Sequence, residues 1–464
     1  MSESTDAAAT VAFPNGFVWG VATASYQIEG AVAEHGRAPS VWDTFAHTPG
    51  KISDGATGDV ACDHYHRYAE DVGLLADLGV SHYRFSLAWP RLQPSGRGPL
   101  NQAGVDFYLR LLDALQEKGV RPWVTLYHWD LPQALEDEGG WPARDTAYRF
   151  ADYAVAVYER LHDRIGDWTT LNEPWCSAYL GYGNGQHAPG VRDERAALHA
   201  AHHLLLGHGL AVRGMRAAVP DSDNRIGITL NLWPVTPVTQ EPADVEAARR
   251  VDGINNRAFL DPVLKGGYPA DVLADVAHIT DTAHVKPGDE ETIAAPIDLL
   301  GVNYYSPSYV RAGAKKVGGA SPWIGCDDVE SVPQGFPRTD MGWEVEPDGL
   351  HRLLVRLRQD YRPLPIYVTE NGMALRDTVD ADGRVEDPDR IAYIDAHLRA
   401  CRQAIDEGVD LRGYFVWTLT DNFEWSFGFS KRFGLVHLDA ETQVRTPKSS
   451  ASWYAQVART GQLP

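Results

Sequence analysis

Eight short apolar runs rich in β-formers, separated by stretches of helical patterning, constrain the fold of this chain more than any other feature. They fall at 18–22, 82–86, 123–127, 168–171, 226–230, 299–303, 366–369 and 414–417. Between two of them Phe150, Tyr153, Ala154, Val157 and Leu161 recur at helical spacing and share one face. The helical segments 65–79, 105–119 and 389–408 each end on a glycine shortly before the next run, where a left-handed residue stops a helix. Helix, glycine stop and strand, repeated in this way, describe βα units around a parallel sheet. Eight units predict an α/β fold, a single (β/α)8 TIM barrel with long βα loops around the active site. The long connections are 231–298, which carries helical patterns, and 304–348, which is rich in Gly, Pro and Ser. Connections of that length after barrel strands build walls around a site. No low-complexity linker divides the chain, so residues 11–464 read as one barrel domain behind a flexible tail, residues 1–10.

A net charge of −21 argues against nucleic-acid partners, whose phosphates call for clustered Lys and Arg, and against anionic membrane surfaces. Cys62, Cys176, Cys326 and Cys401 lack the spacing of a disulfide framework and suit a reducing compartment. Residues 1–10 are polar and Ala-rich, without a basic segment and apolar core, and no run approaches the ~18 apolar residues of a membrane span. A soluble cytoplasmic protein is expected.

Catalytic groups of a barrel of this kind stand at the carboxyl ends of its strands. Here Gln27 follows the first run and Arg84 lies late in the second. His128 and Trp129 follow the third, Asn172 and Glu173 end the fourth, and Asn231 follows the fifth. Asn303 and Tyr305 end the sixth, Glu370 the seventh and Trp417 the eighth. Such a ring describes one cleft with converging side chains. Within it, Glu173 in Thr170-Leu171-Asn172-Glu173-Pro174 and Glu370 in Val368-Thr369-Glu370-Asn371-Gly372 form a carboxyl pair. A pair placed this way suggests acid–base and nucleophilic work on a glycosidic bond.

Segments such as FPNGFVWGVATASYQIEGA, TLYHWDLPQAL, TTLNEPW, GVNYYSP, MGWEVEPDGL, YVTENG and NFEWSFGFSKRFGLVHLD run nearly from end to end. Through them the chain resembles glycoside hydrolase family 1, the β-glucosidase and β-galactosidase family. The resemblance implies that Glu173 is the acid/base and Glu370 the nucleophile of a double displacement with retention, their carboxyls ~5–5.5 Å apart. It places Arg84, Tyr305 and Asn303 beside them, with Arg84 and Tyr305 favouring the charged form of Glu370. The Glu370 charge should in turn raise the pKa of Glu173. By the same resemblance Gln27, His128, Asn172, Glu424 and Trp425 bind the glycone over a floor formed by Trp417, and Trp129 and Phe433 join the substrate-binding set. Trp343 matches the platform for the leaving group, and Cys176, His187 and Asn231 line the mouth. A carboxylate at Glu424 opposes a 6-phosphate sugar, and Glu173 stands where the thioglucosidase branch has Gln.

The implied activity is that of a retaining exo-β-glucosidase. It would act on cellobiose-like oligosaccharides and aryl or alkyl β-glucosides, with β-galactosidase or β-fucosidase tolerance and transglycosylation on the side. The only partner expected is the small-molecule glycoside, with no cofactor and no metal. The alternatives are a 6-phospho-β-glycosidase and a non-catalytic sugar-binding barrel. Departures from the family pattern are Phe427-Gly428-Phe429, where relatives often carry a polar residue or Tyr, and His437, where Tyr is usual. Cys62, His64 and His66, and the group His199, His202, His203 and His208, imitate metal-ligand spacing but resemble metal-free helices of the family. Gly181, Gly183 and Gly185 echo a phosphate loop without running directly into a helix, since Pro189 follows.

Overall fold

All eight predicted runs become neighbouring parallel strands that close on one another. In the computed structural model, which describes residues 11–314 and 321–464, they are β1 (Val18–Ala22), β2 (His82–Ser86), β3 (Arg121–Tyr127) and β4 (Asp167–Asn172), followed by β5 (Arg225–Asn231), β6 (Leu299–Asn303), β7 (Ile366–Asn371) and β8 (Leu411–Trp417). Each strand pairs in parallel with the next, and β8 closes on β1. The expected tail at 1–10 lies outside the described residues.

Five strands are longer than their apolar runs, because polar rim residues such as Arg121, Asp167 and Arg225 still pair with neighbours. Hydrophobicity alone cannot register that. Towards the amino ends of the strands the barrel is filled by aromatic rings. The buried Trp123 ring lies 4.9 Å from Tyr367 and 5.3 Å from Phe415, both edge-on. The interior is therefore a packed core at that end.

The main outer helices are α1 (His64–Leu78), α2 (Gln102–Glu117), α3 (Asp145–Leu161), α4 (Glu194–Ala218), α5 (Pro347–Asp360) and α6 (Pro388–Asp406). The five residues read as one face of α3 are all buried. Gly79 caps α1 with φ 68°, a conformation that costs a residue without Cβ nothing, and Gly119 and Gly408 stand at the matching points after α2 and α6.

The two long connections are joined to each other. Ser308–Ala312 and Val329–Ser331 form antiparallel strands, and Val235–Pro237 from the earlier connection adds in parallel to the first. This three-stranded sheet has no sequence signal, since strands of three to five residues are too short to show alternation. No helix among the described residues is long and apolar enough to cross a membrane. The four cysteines are buried and free.

Candidate active site

Three backbone features aim side chains into the open end of the barrel. The ladder shifts register between Thr169 and Asn172 in β4 and between Val368 and Glu370 in β7, so each strand is irregular where its glutamate is presented. Trp129, Glu173 and Trp425 adopt left-handed backbone at φ 77°, 47° and 46°. Non-glycine residues occupy that region at a cost that surrounding contacts must hold, and such residues cluster at functional sites. After β7 the chain passes so close to β8 that a Cβ on Gly372 would lie 2.0 Å from the Trp417 carbonyl oxygen. That approach accounts for the glycine two residues after Glu370.

Glu370 is buried and held from both oxygens. Arg84 Nη1 donates to Oε1 at 2.6 Å and the Tyr305 hydroxyl donates to Oε2 at 2.8 Å. Arg84 is fully buried, and its Nη2 donates to Asn172 Oδ1 at 2.6 Å. Asn303 Nδ2 donates to Glu173 Oε1 at 2.6 Å and to Asn172 Oδ1 at 3.1 Å. Its orientation is fixed, because Thr369 Oγ1 donates to Asn303 Oδ1 at 2.7 Å and leaves the amide nitrogen facing Glu173 and Asn172. One amide thus ties Glu173 to Asn172, whose Oδ1 also accepts from Arg84, the cation on Glu370.

Burial is the largest influence on both acids, and it raises both. On Glu173 the negative charge of Glu370 adds to it, and the carboxyl is pushed up to about 8 against the hydrogen bonds from Asn303 and Cys176. On Glu370 the Arg84 guanidinium, with the hydrogen bonds from Arg84 and Tyr305, opposes burial. Glu370 is therefore raised, whereas Arg84 and Tyr305 alone would have lowered it. The two titrate as a pair, and the shared proton resides on Glu173, which has no cation of its own in contact.

His128 Nε2 accepts from Asn172 Nδ2 at 3.0 Å, and Trp129 Nε1 donates to the Asn172 carbonyl at 2.9 Å. Burial, then the Arg84 charge, holds His128 well below its usual range, so it is a neutral ring. Gln27 Nε2 donates to the Phe423 carbonyl at 2.9 Å, Asn422 Oδ1 at 3.1 Å and Glu424 Oε2 at 3.4 Å. Glu424 is pushed up to about 8 by burial and by the charges of Glu370 and Glu173.

These groups surround a cavity of about 270 Å³. Of the residues singled out in the sequence, His128, Trp129, Glu173, Cys176, His187, Asn231, Tyr305, Trp343, Glu370, Trp417, Glu424, Trp425 and Phe433 line it directly. Gln27, Arg84, Asn172 and Asn303 are joined to this lining by the hydrogen bonds above. Trp175, Leu180, Gln186, Trp233, Pro322 and Met341 also line it and were missed. Trp175 directly follows the first glutamate motif, and Trp233 lies two residues beyond β5, so nearness to strand ends was the available signal. Pro322 and Met341 come from the 304–348 connection, whose sequence carries no periodicity. Phe427 lines the cavity, whereas His437 faces away from it onto Asp421 at 3.2 Å. A larger cavity of about 450 Å³ opens at the amino ends of β6 and β7 beside Leu300, Ile366 and Tyr361, and it contains none of these groups.

No group of three or more His, Cys, Asp or Glu among the described residues is arranged to hold a metal ion. His64 pairs with Asp71 at 2.7 Å, His202 with Asp289 at 2.8 Å, and His208 with Thr170 at 2.7 Å. Gly181 and Gly183 lie in a π-helical turn, Cys176–Gly183.

The profile described as Glycosyl hydrolase family 1 matches residues 9–462. The chain is 52% identical to "Thermostable beta-glucosidase B" of Thermobispora bispora over 99% of its own length and 93% of that protein. It is 50% identical to "Bifunctional beta-D-glucosidase/beta-D-fucosidase" of Bifidobacterium breve, over 96% and 98% of the two chains. The solved family 1 β-glucosidase from Thermotoga maritima superposes with a TM-score of 0.93 at 45% identity, covering 98% of this chain and all of that one, and the same holds for that enzyme in complex with deoxynojirimycin.

Proposed function

This chain belongs to glycosyl hydrolase family 1, and from that membership we propose how its cavity performs the work of a β-glucosidase. The observation that carries the proposal is that Glu173 and Glu370 line one cavity and are joined by a single hydrogen-bonded chain, Glu173–Asn303–Asn172–Arg84–Glu370. In retaining enzymes such a pair stands ~5–5.5 Å apart, too close for the intervening water of an inverting pair.

Glu370, oriented by Arg84 and Tyr305, attacks C1 of the sugar from one face. Glu173, which carries the shared proton, gives it to the departing oxygen on the other. A covalent glucosyl ester on Glu370 results. Esterification removes the charge that raised Glu173, so Glu173 becomes the base that activates water for release of the sugar. Asn172, held by Arg84 and paired with His128, faces the 2-hydroxyl, where contacts strengthen in the oxocarbenium-like transition state. Trp425, Gln27 and Glu424 close the inner end of the cavity, which supports removal of one terminal sugar at a time. The mouth, built from Trp175, Trp233, Met341, Trp343 and Phe427 among others, suits the flat faces of aryl groups or pyranose rings. Expected substrates are aryl and alkyl β-glucosides and cellobiose-like oligosaccharides, with aryl β-fucosides and β-galactosides as secondary substrates.

A 6-phosphate has no cationic partner here. None of the described residues that line the cavity is Lys or Arg, so the dianion would be buried without a cation in a cavity that already holds the ionised Glu370. A buried charge without a partner costs several kcal/mol, so a panel of 4-nitrophenyl β-glycosides should show kcat/KM on the 6-phosphoglucoside at least about 10³-fold below that on the glucoside. The reverse ranking, or no hydrolysis of any member, would refute the proposal.

The active form has Glu370 ionised and Glu173 protonated. kcat/KM on an alkyl β-glucoside should therefore rise with pH as Glu370 loses its proton and fall again as Glu173 loses its own near 8. A profile that already declines in the ordinary carboxylate range would contradict the assignment of the acid.

A further inference from the structure

We infer that Cys176 is a positioning residue for Glu173: its thiol donates a hydrogen bond to the ionised carboxylate and holds Oε2 in place. The inference rests on the reading of Glu173 as the acid/base.

Cys176 opens the π-helical turn that follows the glutamate, and its backbone N–H donates to the Glu173 carbonyl at 3.0 Å. That tight return brings the side chain back onto the residue three positions earlier. Sγ lies 3.1 Å from Glu173 Oε2, close for a contact involving sulfur. The other carboxyl oxygen, Oε1, is taken by Asn303, so each oxygen of Glu173 faces one donor. Asn231 Nδ2 approaches Sγ at 3.6 Å. The amide engages a sulfur lone pair, which leaves the S–H bond to point at the carboxylate.

The thiol is buried and lies against the cavity. Burial, then the Glu173 charge, pushes it well above its ordinary range, so it remains a thiol and serves as a donor rather than a nucleophile. A donor that bonds the charged form stabilises that form selectively. Cys176 thus works against burial and the Glu370 charge, the two influences that favour protonated Glu173. Without it Glu173 would hold its proton more tightly, and the fall in activity at high pH would come later. An apolar side chain of similar size would fill the same space and leave Oε2 without a donor. Serine supplies a stronger donor on a shorter bond.

The test is the pH dependence of kcat/KM on 4-nitrophenyl β-glucoside for the native enzyme, Cys176→Val, Cys176→Ala and Cys176→Ser. The alkaline limb should move to higher pH by about half to one unit in the valine and alanine variants, the effect of one lost hydrogen bond. In the serine variant it should stay at or below the native position. An unmoved limb in Cys176→Val and Cys176→Ala, or the same displacement in all three, would overturn the inference, because a thiol that only lines the cavity would not act on the titration of Glu173. Glu173→Ala separates the two levels. If it slows activated and unactivated glucosides alike, the acid/base reading itself fails. If it slows only the unactivated ones while the Cys176 variants leave the limb in place, only the role of the thiol fails.

Discussion

Glu370→Ala is expected to lower kcat on aryl β-glucosides by about 10⁴-fold or more, the scale seen when a nucleophile is removed from a site whose other parts remain. Arg84 is fully buried, and Nη1 loses its partner in this variant while Nη2 keeps Asn172. Breaking a buried pair costs stability, so Glu370→Gln is the companion that keeps an oxygen for Arg84. Both should be inactive, which separates loss of the nucleophile from loss of the ion pair. Azide should restore turnover in the alanine variant alone, because only there is space vacated. It enters from the face that Glu370 occupied and makes one displacement, so the product is the α-glucosyl azide. Near-native activity in either variant, or a β-azide from Glu370→Ala, would place the nucleophile elsewhere.

Glu173→Ala is expected to split substrates by leaving group. An alkyl glucoside needs a proton on its departing oxygen, and removal of the general acid should lower its kcat/KM by about 10²–10⁴-fold. A dinitrophenyl glucoside leaves without help, so glucosylation of Glu370 remains fast and the ester accumulates for want of a base. Azide needs no base and should release it from the face that water uses. After two displacements the product is the β-glucosyl azide. Opposite azide stereochemistry from the two alanine variants follows from Glu173 and Glu370 lying on opposite faces of the sugar. Equal losses on both leaving groups would remove Glu173 from the acid/base role.

The barrel was legible because each of its units repeats the same signals. The face of α3 and the glycine after α1 are local, and local patterning suffices to place them. The Val235–Pro237, Ser308–Ala312 and Val329–Ser331 sheet was not legible, because its stability comes from pairing between two distant connections. The same division runs through the site. Residue types at strand ends announced the two glutamates, Arg84 and Tyr305. The Thr369 bond that orients Asn303, and the fold-back that puts Cys176 Sγ on Glu173, are tertiary facts with no motif of their own. Motif matching gave Arg84 and Tyr305 as partners of Glu370 and expected a readily ionised acid. It could not weigh burial, which raises Glu370 despite both. His437 shows the converse: a departure from the family pattern that drew notice in sequence sits on Asp421, outside the cavity.

The central claim is that Glu370 carries the sugar between the two halves of the reaction, and covalent trapping tests it most directly. A 2-deoxy-2-fluoro-β-glucoside with a good leaving group lacks the 2-hydroxyl whose contacts favour the transition state, so the second displacement should stall. After brief incubation and proteolysis, mass spectrometry should find the fluoroglucosyl group on the peptide that contains Glu370, attached to that residue. A label on any other residue, or continued turnover with no labelled peptide, would contradict the account.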